Sequence, residues 1–154
     1  MKERAFQDFY PDDYAVCYGC GRLNPVGLHI RSFWEGDESV CRFEPRPEHM
    51  AVAGYVYGGV IASAIDCHGV GTAAAAAARK AEGDSAPRLR FVTASLHVDY
   101  RRPTPLGVPL ELRGHVVEQK QRKVVVAVRL TANGQLCVEG RVVAVPIPDS
   151  MLAK

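Results

Sequence analysis

Gly58-Gly59-Val60-Ile61-Ala62-Ser63-Ala64-Ile65-Asp66-Cys67-His68-Gly69-Val70-Gly71-Thr72, continued by alanines through Ala78 and by Arg79-Lys80, is the stretch that decides the fold. No proline interrupts it up to Ala81, and alanine is the strongest helix former. The run is apolar nearly all round, which marks a helix buried on most sides. Gly69 and Gly71 weaken it and predict a bend or a close packing contact. Arg79 and Lys80 complement the carbonyl end of such a helix, and Gly83-Asp84 and Pro87 close it.

The chain on either side is strand-like. Leu28 to Phe33 and Ser39 to Phe43 alternate and predict a hairpin turned at Glu35-Gly36-Asp37. Arg90 to Tyr100 predicts a long strand, with Phe91, Thr93, Ser95, His97 and Asp99 on one face. Pro109 to Val117, Lys123 to Thr131 and Leu136 to Val145 predict three more, with turns at Gln119–Arg122 and at Asn133-Gly134, a strong hairpin pair. The order is two strands, one long helix, four strands, hence α+β. One helix that is apolar on most faces needs a sheet that curls around it. A curved antiparallel sheet of five to six strands wrapped around one long central helix is the hot-dog fold. So few strands leave part of the helix uncovered, which predicts a homodimer at least, with a tetramer left open. Residues 1–16 read as an N-terminal arm, 17–146 as the single domain, and 147–154 as a C-terminal tail.

Composition narrows the function. The chain has 154 residues, 47% hydrophobic and 23% charged, enough for one core and too short for two comfortable ones. A formal net charge of +2 gives no ground for a nucleic-acid partner. The N-terminus carries no secretory pattern, and the Ala/Gly run from Val70 to Ala78 is too short to span a bilayer. A cytoplasmic protein with no membrane partner is the expectation. Five cysteines, an odd number without regular spacing, suit reduced thiols.

Three motifs occur in order along the chain. Tyr57-Gly58-Gly59-Val60-Ile61-Ala62-Ser63-Ala64-Ile65-Asp66 resembles the His-Gly-Gly…Asp helix start of hot-dog acyl-CoA thioesterases of the phenylacetate-pathway and 4-hydroxybenzoyl-CoA types. Val98-Asp99-Tyr100-Arg101-Arg102-Pro103 with Gly107 resembles their Tyr-x-x-Pro…Gly strand end. Cys17-Tyr18-Gly19-Cys20-Gly21…Asn24-Pro25…Gly27-Leu28 resembles an N-terminal signature of one branch. The resemblance spans roughly residues 17–146 and implies an acyl-CoA substrate, no cofactor beyond the coenzyme A of that substrate, and a site shared across a dimer. It also implies a water-orienting role for Thr93, whose other reading is an ordinary strand threonine. Tyr57 stands where much of the family has His. An upstream Asn has no match; Ala51 falls near its place, with His49 close by.

Thioester hydrolysis needs an activated water or a nucleophile, and donors for the oxyanion. A helix start offers unpaired N–H groups, and Gly58 and Gly59 let a substrate oxygen approach them. Asp66 is the candidate catalytic carboxylate, the only acid between Glu48 and Glu82. A carboxylate in an Ala/Ile/Val helix is costly unless hydrated, paired or functional; its bland reading is a solvated or Thr-paired aspartate. Seven residues separate it from Gly59, about 10–11 Å along a helix axis. That is too far for both to serve one carbonyl within one chain, so a second copy has to bring them together. The candidate catalytic set is therefore Asp66, Gly58, Gly59 and Thr93, with general base or covalent attack both open for Asp66.

Tyr57, His49, Arg101 and Arg102 are the candidate substrate-binding residues. Tyr57 is read as positioning the thioester or plugging the helix entry. Arg101-Arg102 is read as holding coenzyme A phosphates; the basic run Gln119 to Lys123 is read equally as solvated charge. His68, two residues from Asp66, faces elsewhere and reads as structural or interfacial. Cys67 reads as a small core residue. Cys17-x-x-Cys20 reads as a packed loop, because a zinc site wants four ligands and no second pair exists; no metal is expected. Two other functions stay open: a hot-dog enoyl-thioester hydratase or dehydratase, with His49 or His97 as partner to Asp66, and a non-catalytic acyl-CoA binder.

Overall fold

The central helix α1 runs Gly58–Glu82. Its alanines and glycines are what lets a sheet close tightly around it. Ala73, Ala74 and Ala75 are fully buried. Gly69 has no room for a side chain, since a Cβ there would come within 2.5 Å of Val142. The alternative left open by the sequence, a bend or close packing, is thus met by close packing. Gly83 ends the helix with φ of 90°, a left-handed conformation that side chains disfavour. Near that end the Arg79 guanidinium lies 4.0 Å from the Trp34 ring centre. The computed structural model describes residues 2–83 and 89–152; Asp84 and Pro87, expected to close α1, lie outside the described residues.

The six strands are β1 (Phe33–Glu35), β2 (Glu38–Phe43), β3 (Phe91–Tyr100), β4 (Leu110–Lys120), β5 (Lys123–Ala132) and β6 (Gln135–Pro146). They form one antiparallel sheet in the order β1-β2-β4-β5-β6-β3. The sheet packs on α1 through Val124, Val126, Val128, Leu130, Val138 and Val142, all buried. This is the hot-dog fold. Asn133 and Gly134, both at positive φ, make the β5–β6 hairpin turn as expected. By length and composition α1 is long enough and apolar enough to cross a bilayer, but it is mostly buried within the domain.

Two expectations need correction. The first hairpin strand is Phe33–Glu35, not Leu28 to Phe33. His29 adopts φ of 56°, which breaks extended structure, and its ring bonds the Asn24 carbonyl at 2.6 Å. Leu28 and Ile30 instead donate backbone bonds to the carbonyls of Tyr18 and Gly19, in the cysteine loop. The second correction concerns β3. Its pairing with β6 shifts between Thr93 and Ser95, so Ala94 is an extra residue. Thr93 pairs with buried Ala144, whereas Ser95, His97 and Asp99 pair with Val143, Arg141 and Glu139 on the other face. Val98 and Tyr100 turn towards the helix in their place.

Residues before Cys17 lie against the domain: Phe6, Tyr10 and Ala15 are buried, and two short 3-10 turns, Phe6–Phe9 and Asp12–Tyr14, shape the segment. Gln7 enters a buried polar chain. Its side chain pairs with Ser32; Ser32 Oγ meets His68 Nδ1 at 2.8 Å, and His68 Nε2 meets Ser39 Oγ at 3.0 Å. Ser39 Oγ then contacts Thr72 Oγ1 at 2.6 Å, and Thr72 donates to the His68 carbonyl. His68 is structural, as one of its two readings held.

Candidate active site

Asp66 projects from the third turn of α1 towards β3. Thr93 Oγ1 donates to Asp66 Oδ1 at 2.5 Å. That bond exists because the bulge at Ala94 keeps Thr93 on the helix side of the sheet. Asp66 is partly buried, and burial pushes its carboxyl above the ordinary carboxylate range; the Thr93 bond and Arg90 pull the other way. A small pocket of about 170 Å³ adjoins it, lined by Thr93, Arg90, Phe91 and Val70 together with Cys17, Cys20 and Cys67. Asp66 is therefore Thr-paired, and both members of the pair line this pocket.

The helix start lies at a different opening. The first intrahelical bonds run from the Val60 and Ile61 N–H groups to the Tyr57 carbonyl, so the N–H groups of Gly58 and Gly59 precede the ladder. Tyr57 is the N-cap residue, with extended backbone and no side-chain cap. Its ring covers Gly59, where a Cβ would approach within 2.4 Å of it. Tyr100 Oη donates to the Gly58 carbonyl at 2.6 Å and fixes this end of the helix to the end of β3. The adjoining cavity, about 620 Å³, is lined by Gly58, Ile61, Tyr55, Tyr100, Arg101 and Arg102 among others. Its wall is a turn at Gly54, φ 88°, held by bonds from Val56 N–H to Thr104 O and from Leu106 N–H to Gly54 O.

The expected residues thus fall into two groups on one chain. Asp66 and Thr93 meet in one pocket and Gly58, Arg101 and Arg102 in the other, while Tyr57 lies over Gly59 and lines neither among the described residues. His49 joins neither lining among the described residues. It is buried, its carbonyl accepts from Tyr57 N–H at 2.8 Å, and its Nδ1 accepts from Arg46 N–H at 3.0 Å. Arg101 is already engaged by Glu139 at 3.0 Å and Asp99 at 3.5 Å. Arg102 bonds only the Gln135 amide among the described residues and keeps its charge uncompensated. His97 is exposed and meets Asp99 at 3.1 Å, away from Asp66. Tyr100 belongs to the site although the sequence offered no reason to single out its hydroxyl. Cys67 does more than fill the core: its sulphur lies 3.8 Å from that of Cys17.

Comparison with known proteins fits this geometry. The family model described as thioesterase superfamily matches residues 53–143, which include both halves of the site. The chain belongs to the thioesterase superfamily. A thioesterase superfamily protein from Shewanella loihica PV-4 is 45% identical, with a TM-score of 0.69 over 90% of this chain and 100% of that one. Another thioesterase superfamily protein of known structure is 26% identical, with a TM-score of 0.68 over 94% of this chain and 71% of the other. A hexameric acyl-CoA thioesterase, 24% identical, shares the fold with a TM-score of 0.60 over 77% of this chain and 74% of its own. No curated protein matches the sequence. As a member of this superfamily the chain is a thioester hydrolase acting on a small-molecule thioester.

Proposed function

We propose that the protein hydrolyses acyl-CoA thioesters in the cytoplasm, at a site formed by Asp66 and Thr93 of one chain and the Gly58-Gly59 helix start of a second copy. The observation that carries the reading is the Asp66–Thr93 pair: a partly buried carboxylate that lines a pocket and has one oxygen held by a hydroxyl. Asp66 takes a proton from water as the water oxygen bonds the thioester carbonyl carbon. The developing oxyanion is met by the N–H groups of Gly58 and Gly59. Collapse breaks the C–S bond, and the thiolate leaves with the proton returned through Asp66. Attack by the carboxylate itself gives the same products through an anhydride that water then opens.

The dimer is supported by β3. It is an edge strand of ten residues, exposed from Thr93 to His97, and Leu96 is 39% exposed. Such an edge is a template for pairing with another chain. Arg102, at the mouth of the larger cavity, is the better candidate for a coenzyme A phosphate, because Arg101 is neutralised by Asp99 and Glu139. Five unpaired cysteines suit a reducing compartment. Among the described residues no histidine lines the Asp66 pocket, which favours hydrolysis over hydration of an enoyl thioester.

The test is thiol release from a panel of short, medium, long and aryl acyl-CoAs. Turnover of at least one is expected. Tight binding of the panel with no release of thiol would overturn the catalytic reading.

A further inference from the structure

Three sulphurs from distant parts of the chain converge beside the Asp66 pocket. Cys17 and Cys20 come from the N-terminal loop and Cys67 from α1. All three Sγ atoms lie within 4.8 Å of one another, and Cys20 and Cys67 are buried. The sequence offered one pair of candidate ligands; the fold supplies a third.

The loop is built around the sulphurs. The Gly21 N–H closes a turn on the Cys17 carbonyl at 2.7 Å. Gly19 is seated so closely on α1 that a Cβ would come within 2.2 Å of Cys67 Sγ. Bonds from Leu28 and Ile30 N–H to the Tyr18 and Gly19 carbonyls hold the loop from its other side. Tyr10 adds an independent sign: its hydroxyl is buried with no hydrogen-bond partner among the described residues, and it lies within electrostatic reach of all three sulphurs.

We propose that Cys17, Cys20 and Cys67 bind one Zn²⁺ as a three-thiolate site whose fourth position faces the pocket shared with Asp66. Zinc–thiolate bonds of about 2.3 Å in a tetrahedron set neighbouring sulphurs about 3.8 Å apart. Cys17 and Cys67 are 3.8 Å apart. Three thiolates and Zn²⁺ leave one net negative charge, and Arg90 in the lining of the same pocket opposes it. Binding releases the protons that the thiols hold. The ion ties the N-terminal loop to the helical turn that carries Asp66, so its role is to position that turn.

The test uses the full-length protein purified without chelator. Elemental analysis is expected to find one zinc per chain. Co²⁺ added to the metal-free protein is expected to give the sulphur-to-metal charge-transfer absorption and intense visible bands of a tetrahedral thiolate site. Cys67→Ala and Cys17→Ser abolish both, and Cys137→Ala retains them. Chelation lowers the Tm of the wild type and leaves that of Cys17→Ser unchanged. Cys17 is the least buried of the three, so its variant carries the test if Cys67→Ala does not fold. Zinc at background with five titratable thiols overturns the proposal. So does a Cys17–Cys67 disulfide in protein isolated without reductant, or a Co²⁺ spectrum indifferent to both substitutions.

Discussion

Thr93 Oγ1 bonds Asp66 Oδ1 at 2.5 Å, joining the central helix to the edge strand of the sheet. Hydrogen bonds to charged groups contribute roughly 1.5–3 kcal/mol. Removing Asp66 and removing its partner therefore differ in kind. Asp66→Ala is expected to lower kcat by about 10²–10⁴-fold, the range for a lost general base. Thr93→Ala should lower it by roughly 10–100-fold, one power of ten per 1.4 kcal/mol. Thr93→Ser keeps the hydroxyl and should recover most of that loss. Thiol release measured over a range of substrate concentrations checks all three.

Gly58→Pro separates the oxyanion function from the helix. Gly58 is the first helical residue, a position that tolerates proline, and Tyr57 before it has φ −61° and ψ 130°, a conformation allowed before proline. The substitution removes one N–H and nothing else from the backbone. Activity should fall about 10²–10³-fold with helicity by circular dichroism unchanged. Mixing this variant with Asp66→Ala under subunit exchange should restore activity, since one mixed site per heterodimer is intact. No recovery on mixing would place both halves on one chain.

Gly59→Ala pushes against the outer end of the Tyr57 ring, 2.4 Å from the new Cβ. That ring is 56% exposed and free to swing out, so Tm should hardly change. KM should rise as the ring leaves the helix start. In a Tyr57→Ala background the same substitution should have no further effect, which a double-mutant cycle on kcat/KM measures.

Gly69→Ala meets Val142 at 2.5 Å inside the core, where neither side can retreat. Overpacking of this kind costs about 1–3 kcal/mol. Val142→Ala alone leaves a cavity, but combined with Gly69→Ala it should regain part of the loss. Urea denaturation of the two single variants and the double variant reads the compensation.

His68 links stability to pH. Burial pushes its pKa down to about 4, against about 6.5 in an unfolded chain. Above the higher value both states are neutral and stability is full. Between the two, the unfolded chain takes up a proton that the native chain refuses, so stability falls as pH falls, by about 1.4 kcal/mol per unit. The sum is on the order of 3 kcal/mol by pH 4. Its neighbours Ser32, Ser39 and Thr72 do not titrate in that window. Urea midpoints at pH 5 and pH 7 should differ for the wild type, and this share of the difference should vanish in His68→Gln.

The helix was legible because alanine, glycine and the absence of proline act locally, and the β5–β6 turn because Asn133-Gly134 suits positive φ. Asp66 was legible as a lone acid in an apolar run. The rest depends on contacts between distant residues. Ala94 looks like any strand residue, and only its pairing with β6 makes it the bulge that divides Thr93 from Ser95. His29 leaves the strand because a ring-to-carbonyl bond to Asn24 and the cysteine loop claim its segment. Cys67 lies fifty residues from Cys17, and no spacing rule joins them. Arg101 and Arg102 are identical in sequence terms, and only the positions of Asp99 and Glu139 tell them apart.

The extra residue at Ala94 also divides β3 into two parts that can change independently. The segment before it serves the carboxylate, and the segment after it, ending at Tyr100, serves the helix start. Substitutions at Ser95, His97 and Asp99 can therefore reshape the outer face without shifting Thr93. Deleting Ala94 would make Thr93–Ala144 and Ser95–Val143 consecutive pairs, a regular ladder in which every later side chain keeps its face but the local twist of the bulge is lost. The faces beyond the bulge are thus set by pairing with β6 and not by the count of residues from Thr93, so in a diversifying lineage a one-residue deletion at Ala94 is the length change this strand absorbs.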